Sequence, residues 1–264
     1  MPSKPLRVVV LLTALGVAAV FALGTRAARR TRTTWERPVD VGVFVLGAPP
    51  RDGVDALAGA LAAVAARLAD DRARLAGGGG AALRFEVLGP ATPARLPPTA
   101  APAPSILARA AHALDLWRAE RAVHAALPEV DPGAFDVRVY VVLDPAAAPF
   151  AEGIGAAGGE VGVVRAAIAG DALLAATAVV HEALHALGAT DKYDRAGHAV
   201  APGGLWAPDQ VPPYPQPRAE IMVGEIPLGP GRGRLPASAA EVGIGPETAR
   251  EIGWLGAAAE DGPR

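Results

Sequence analysis

Apolar residues recur with two different periods along the body of the chain. Val-rich runs at Val39 to Leu46 and Val137 to Leu143 predict strands, and the run Leu83 to Leu88 predicts another. The run Val137 to Leu143 is almost wholly apolar, which is typical of the centre of a sheet. Residues Glu160 to Ile168 predict a fourth strand, and the Gly- and Ala-rich residues before it predict a loop.

Between these strands, apolar residues recur at helical spacing. Four helices are predicted: Asp52 to the glycines at 77–80, Ile106 to Leu127, Asp171 through Leu187, and Glu247 to Ile252. Prolines make residues 89–104 a surface connection and residues 202–236 mostly turns. This order of elements predicts an α/β (α+β) fold with a small mixed sheet and long helices. We assign the domain to residues 36–256, followed by a C-terminal tail at 257–264.

The N-terminal residues 1–35 have a different pattern. Val8 to Gly24 carries no charge over seventeen residues and is flanked by basic residues on both sides. As a helix it would extend about 26 Å, slightly less than the roughly 30 Å hydrocarbon core of a bilayer. We expect an uncleaved transmembrane helix of open orientation, with a cleaved signal segment as the alternative. The domain would then be membrane-anchored or secreted; a buried core helix is the remaining interpretation.

Composition and charge exclude several classes of protein. The chain has no cysteine, so disulfides, cysteine–zinc sites and thiol catalysis are excluded. Six basic residues precede Thr33, and the remainder carries 19 basic and 27 acidic side chains. An acidic body of this kind gives no indication of a nucleic-acid partner.

The most informative motif is the run from His181 to His185, of sequence His-Glu-Ala-Leu-His. Two histidines four residues apart lie one turn apart on the same face of a helix, so both imidazoles can reach one metal ion. Neutral imidazole is a good ligand for Zn²⁺. Glu182 lies beside the first histidine and is the candidate general base. His112 and His124 have no such partner, and we expect them on a helix surface.

A third ligand is expected soon after the second histidine. Gly188 can adopt the conformation that ends a helix, and Asp191 then offers a carboxylate oxygen. Three protein ligands and an open position are the arrangement of catalytic zinc sites. His198 and Glu220 are alternative third ligands.

Residues 181–191 resemble the signature of the metzincin zinc peptidases, His-Glu-x-x-His-x-x-Gly-x-x-His, with Asp191 in the last position as in the snapalysin type. Metzincins also have a methionine-containing turn beneath the metal, and Ala219 to Gly224, with Met222, is similar to it. The resemblance extends over residues 160–226. It implies an antiparallel edge strand at 160–168, where an extended peptide could pair.

The resemblance and the motif together predict hydrolysis of peptide bonds. Zn²⁺ would be held by His181, His185 and Asp191, and Glu182 would take a proton from the attacking water. The hydroxyl of Tyr193 is a candidate oxyanion donor, and Asp194 could hydrogen-bond a ligand histidine. Peptides or proteins are the expected substrates. The alternatives are a zinc hydrolase of non-peptide amides, an inactive metal-stabilised binding module, and two histidines on a core helix without metal.

Overall fold

A five-stranded sheet forms the centre of the molecule in the computed structural model, which describes Gly16 and residues 33–49, 51–77, 79, 82–103, 105–143, 151–155, 160–167 and 171–255. Its strands are β1 (Val39–Leu46), β2 (Leu83–Ala91), β3 (Val137–Leu143), β4 (Ala151–Gly155) and β5 (Val161–Ala166). They lie in the order β2-β1-β3-β5-β4, and only the pair β4 and β5 is antiparallel. The prediction of a mixed α/β domain is thus confirmed.

Helices cover both faces of this sheet. They are α1 (Arg51–Ala76), α2 (Ile106–Ala126), α3 (Ala172–Leu187) and the short α4 (Pro246–Glu251). Successive side chains of a strand point to opposite faces. Accordingly, Val43 packs with α1 and α3 in the larger core cluster, whereas Phe44 packs with α2 in the smaller one.

The residues after α3 form a loop-rich region with two small sheets. In one sheet β6 (Ala219–Glu220) pairs in parallel with β9 (Val242–Gly243), and in the other β7 (Ile226–Gly229) pairs in antiparallel with β8 (Arg232–Arg234). The short helix α4 follows and ends near residue 252. Most of this region is held by tertiary contacts, since its strands are only two to four residues long.

A buried carboxylate joins α1 to the C-terminal region. Asp71 is fully buried, and its Oδ2 accepts hydrogen bonds from the backbone N–H of Ile244 at 2.8 Å and from Trp206 Nε1 at 3.3 Å. Its Oδ1 accepts from Arg67 at 2.7 Å and from Arg74 at 3.1 Å. The charge of this carboxylate is therefore compensated by two guanidinium groups, as a buried ion requires.

The two ends of the domain meet beside α4. Trp35 Nε1 donates to the carbonyl of Ile252 at 2.8 Å, and the ring of Trp35 lies edge-on to that of Trp254, with centroids 5.7 Å apart. The side chain of Trp254 is buried in this contact.

The predicted antiparallel edge strand at 160–168 is wrong. Strand β5 lies inside the sheet, parallel to β3, and the antiparallel edge strand is β4, within residues expected to form a loop. The sequence of β4, Ala-Glu-Gly-Ile-Gly, has little strand propensity, so no local pattern reveals it. Pairing with β5 supplies its structure instead.

Two predictions fall on residues that the structure leaves undescribed. The apolar segment Val8 to Gly24 lies outside the described residues apart from Gly16, and so does the tail at 257–264. Among the helices of the described residues, none combines the length and the apolar character that a membrane crossing requires.

The core can be tested with one substitution made at a buried and at an exposed site. Leu61 on α1 is fully buried, so Leu61→Ala should lower the free energy of unfolding by about 2–5 kcal/mol. Leu107 on α2 is 82% exposed, and Leu107→Ala should change the free energy of unfolding by less than about 0.5 kcal/mol. Urea unfolding followed by circular dichroism measures both, and equal losses would contradict the assignment of α1 to the core.

Candidate metal centre

Helix α3 carries the predicted metal-binding histidines and begins and ends where the sequence predicts. The side chain of Asp171 accepts the N–H of Leu174 at 3.0 Å and caps the first turn. Gly188 has φ 104° and ends the helix, a left-handed conformation that glycine adopts without steric cost. The intervening residues are mostly buried, which fixes the direction in which the polar side chains of α3 point.

Three polar side chains of α3 converge at one point. Ligand atoms of His181, Glu182 and His185 lie within 4.8 Å of one another, so this group could hold a metal ion. The two imidazole rings are nearly perpendicular, at 84°, with centroids 4.7 Å apart. The structure therefore brings together the two histidines and the glutamate that the motif singled out.

Backbone carbonyls orient both imidazoles. His181 Nδ1 lies 3.1 Å from the carbonyl oxygen of Ile221, and His185 Nδ1 lies 2.9 Å from that of Ala189. Because a carbonyl can only accept, each Nδ1 carries the proton and donates it. The Nε2 atom of each ring is the one left to bind a metal.

Asp191 lies next to both Nε2 atoms. Its Oδ1 is 3.1 Å from His181 Nε2 and 3.2 Å from His185 Nε2. Ligand atoms at about 2.0–2.1 Å from a tetrahedral zinc ion are separated by roughly 3.3 Å, so these distances fit a shared ion. When the imidazoles are protonated and no metal is bound, their Nε2–H groups donate to Asp191, and these hydrogen bonds hold the pKa of the Asp191 carboxyl well below its usual range. Burial lowers the pKa of His185, but its hydrogen bonds with Asp191 and Ala189 outweigh that effect and raise it.

Glu182 is packed between α3 and the sheet. A Cβ atom at Gly153 on β4 would overlap its carboxylate, and one at Gly162 on β5 would lie 2.8 Å from its Cβ. The two glycines therefore create the space that this side chain occupies. Its Oε2 is buried and has no hydrogen-bond partner in the described part of the chain. Burial raises the pKa of the Glu182 carboxyl.

A cleft of about 840 Å³ opens beside these residues. His181, Glu182 and Gly153 line it, together with Tyr193. The Tyr193 side chain is partly exposed, and its ring lies 6.3 Å from that of His181. Burial and the nearby charge of Asp191 raise the pKa of Tyr193 to about 12, so its hydroxyl remains a hydrogen-bond donor at neutral pH.

The predicted methionine-containing turn lies against His181. The backbone N–H groups of Val223 and Gly224 donate to the carbonyl of Glu220, which closes the turn, and Met222 is fully buried. The carbonyl of Ile221 within this turn is the one that orients His181. The turn thus positions a ligand candidate through its backbone.

The alternative third ligands lie elsewhere. The carboxylate of Glu220 is fully buried and accepts the N–H of Met222 at 2.7 Å and that of Gly245 at 3.3 Å. His198 faces Glu225 instead, with Nδ1 at 3.1 Å from Oε1. Neither belongs to the group around His181.

The suggested role of Asp194 is not what the structure shows. Its Oδ1 accepts the N–H groups of Ala196 at 2.9 Å and His198 at 3.0 Å, so it stabilises its own turn rather than a ligand histidine.

Sequence reasoning also missed the carbonyls that orient the imidazoles and the glycines around Glu182. Backbone groups leave no residue-type signal, and glycine is abundant throughout this chain.

Comparison with family models, curated proteins and solved structures gives no match for this chain. The similarity to metzincins therefore rests on residues 181–191 and on the turn around Met222. What is shown is a mixed α/β domain with a His-Glu-His group that could hold a metal ion.

Removing one imidazole tests the metal centre. The sequence predicts Zn²⁺ at this group, and His181→Ala should then abolish stable binding of one ion per chain, because it removes a candidate nitrogen ligand. His198→Ala serves as the matched control, since His198 is also a partly buried histidine but pairs with Glu225. Elemental analysis after dialysis measures the metal content. Equal zinc in both variants would contradict the assignment.

The space around Glu182 can be tested with a methyl group. Gly162→Ala would place its Cβ 2.8 Å from that of Glu182 and should cost about 1–3 kcal/mol of stability. Gly229→Ala is the control, because nothing lies within 4 Å of its Cβ position, and should change stability by less than about 0.5 kcal/mol. Thermal unfolding of the two variants gives the comparison; an unaffected Gly162→Ala would show that α3 packs less closely than described.

Proposed function

We propose that this chain is a zinc-dependent peptidase, with the metal held by His181, His185 and Asp191. The observation that carries the proposal is the Oε2 atom of Glu182, a buried carboxylate oxygen with no partner among the described residues, at the edge of the cleft. A buried acceptor normally has a partner, so an unpaired one beside two imidazoles calls for a functional explanation. An activated water is the partner that we propose.

The side chains fit the proposed ion. Two imidazole nitrogens and one carboxylate oxygen are a common ligand set of catalytic zinc, and their spacing of 3.1 and 3.2 Å suits tetrahedral coordination. Among the described residues, the group that could hold an ion consists of His181, Glu182 and His185, and Asp191 approaches both Nε2 atoms from outside it. A zinc ion bound there would polarise a substrate carbonyl and acidify a water molecule.

The residues of the chain supply the proton transfers. Glu182, fixed against Gly153 and Gly162, takes the proton of the attacking water and delivers it to the amine that leaves. Because Glu182 is confined between α3 and the sheet, its carboxylate keeps one position during both proton transfers. Tyr193, on the open side of the cleft, donates a hydrogen bond to the oxygen on which negative charge develops.

The substrate that fits this cleft is an extended peptide. Strand β4 is the edge of the sheet, with no strand on its outer side in the described part of the chain, and its Gly153 lines the cleft. A peptide paired with β4 would gain backbone hydrogen bonds and pass directly beside Glu182. This replaces the edge at 160–168 that the sequence had indicated.

The base is tested by Glu182→Gln, which keeps the shape of the side chain and removes its basicity. We expect unchanged zinc content and a fall in peptide hydrolysis of about 10²–10⁴-fold. Glu241→Gln, which alters a surface carboxylate paired with Arg234, should leave both unchanged. Hydrolysis of a pool of quenched fluorescent peptides, with products identified by mass spectrometry, measures the effect.

Three outcomes would contradict the peptidase. Full activity of Glu182→Gln would exclude Glu182 as the base. A zinc-loaded wild-type chain that cleaves small amides but no peptide would identify a hydrolase of non-peptide amides. A zinc-loaded chain that cleaves neither would identify a binding module.

A further inference from the structure

The carboxylate of Glu251, at the end of α4, contacts both neighbours of Asp191. Its Oε2 accepts the backbone N–H of Thr190 at 3.0 Å and the ammonium of Lys192 at 2.7 Å. Its Oε1 accepts the hydroxyl of Thr190 at 2.6 Å. One side chain from the C-terminal helix therefore holds the residues immediately before and after Asp191.

Lys192 closes this arrangement into a compact turn. Its Nζ also donates to the carbonyl of Thr190 at 3.1 Å, and its backbone N–H donates to the carbonyl of Met222 at 3.2 Å. The Lys192 side chain is only 3% exposed, and a buried ammonium requires an anionic partner. Glu251 meets that need at 2.7 Å, whereas Glu247 is 4.0 Å away and half exposed.

Asp191 depends on this turn for its position. Its own side chain is 47% exposed and reaches the two imidazoles from outside α3. A carboxylate on an exposed turn has many conformations, and holding it in one of them strengthens it as a ligand. The support is itself rigid, because the end of α4 is held by the bond from Trp35 to Ile252.

We infer that Glu251 is a positioning residue for the metal site and acts through Asp191, whose carboxylate it holds toward the imidazoles by fixing Thr190 and Lys192. The inference rests on the proposed function, in which Asp191 is the third ligand. The bonds of Glu251 described here reach Thr190 and Lys192, the two neighbours of Asp191. Its contribution is therefore to the affinity and geometry of the site rather than to proton transfer.

The test compares metal affinity and coordination in variants of the full chain. Glu251→Gln should weaken Zn²⁺ binding about 10–100-fold in competition with a chromophoric chelator. It should also change the visible absorption bands of the Co²⁺-loaded protein, which report the number and geometry of ligands. Glu247→Gln, on the same helix and near the same lysine, should leave affinity within about 2-fold and the Co²⁺ spectrum unchanged.

A double variant separates positioning from a general effect on stability. If Glu251 acts through Asp191, then Asp191→Asn with Glu251→Gln should bind Zn²⁺ about as weakly as Asp191→Asn alone. Thr190→Val removes a hydroxyl at an exposed residue, which donates to Glu251 Oε1 at 2.6 Å and accepts from Lys192 Nζ at 3.3 Å. It leaves the Glu251–Lys192 ion pair in place, so it should weaken Zn²⁺ binding less than Glu251→Gln, in a chain whose metal-free melting temperature is unchanged. This variant keeps the test valid even if Glu251→Gln folds poorly.

The possible failures are distinguishable. A wild-type chain that binds no Zn²⁺ overturns the proposed function and this inference together. Zinc binding that is weakened by Asp191→Asn but unchanged by Glu251→Gln and Thr190→Val overturns the inference alone. Losses that multiply in the double variant also overturn it, because Glu251 would then act independently of Asp191.

Discussion

The close approach of α3 to strands β4 and β5 is the contact on which the candidate site depends. Glu182 fits between them only because Gly153 and Gly162 have no side chains. A wider separation would leave the carboxylate free to change rotamer. The same packing sets the rotation of α3 about its axis, and with it the direction in which His181 and His185 point. Steric fit at two glycines thus sets where Glu182 and the two imidazoles of α3 converge.

A second layer of support comes from segments that follow α3 in the sequence. The turn containing Met222 offers one backbone carbonyl to an imidazole, and the residue after the cap at Gly188 offers another. Backbone carbonyls are suitable partners because the fold fixes their position and because they neither gain nor lose a proton as the pH changes. In the proposed mechanism Glu182 transfers the proton, while these carbonyls keep the tautomers of both histidines fixed.

The sequence predicts those parts of the structure that depend on local patterns. Helix α3, its cap and the pairing of His181 with His185 follow from helical spacing and from the conformational freedom of Gly188. Strand β4 could not be predicted, because a run of Ala and Gly becomes a strand only when β5 is beside it. The contact of Glu251 with Thr190 joins residues 61 positions apart and has no signature in a single sequence. Local secondary structure could thus be predicted from the sequence, whereas contacts between residues far apart in the chain could be seen only in the three-dimensional structure.

The buried Asp71 ties completion of the site to the closure of a long loop of the chain. Its bond to Ile244 joins residues 173 positions apart, so it requires the C-terminal region to have returned to α1. Closing so long a loop has an entropic cost that is offset only once many contacts form together. The turn around Met222 and helix α4 belong to that returning region. Metal binding at this site would consequently report that the C-terminal region has packed against α1 and α3.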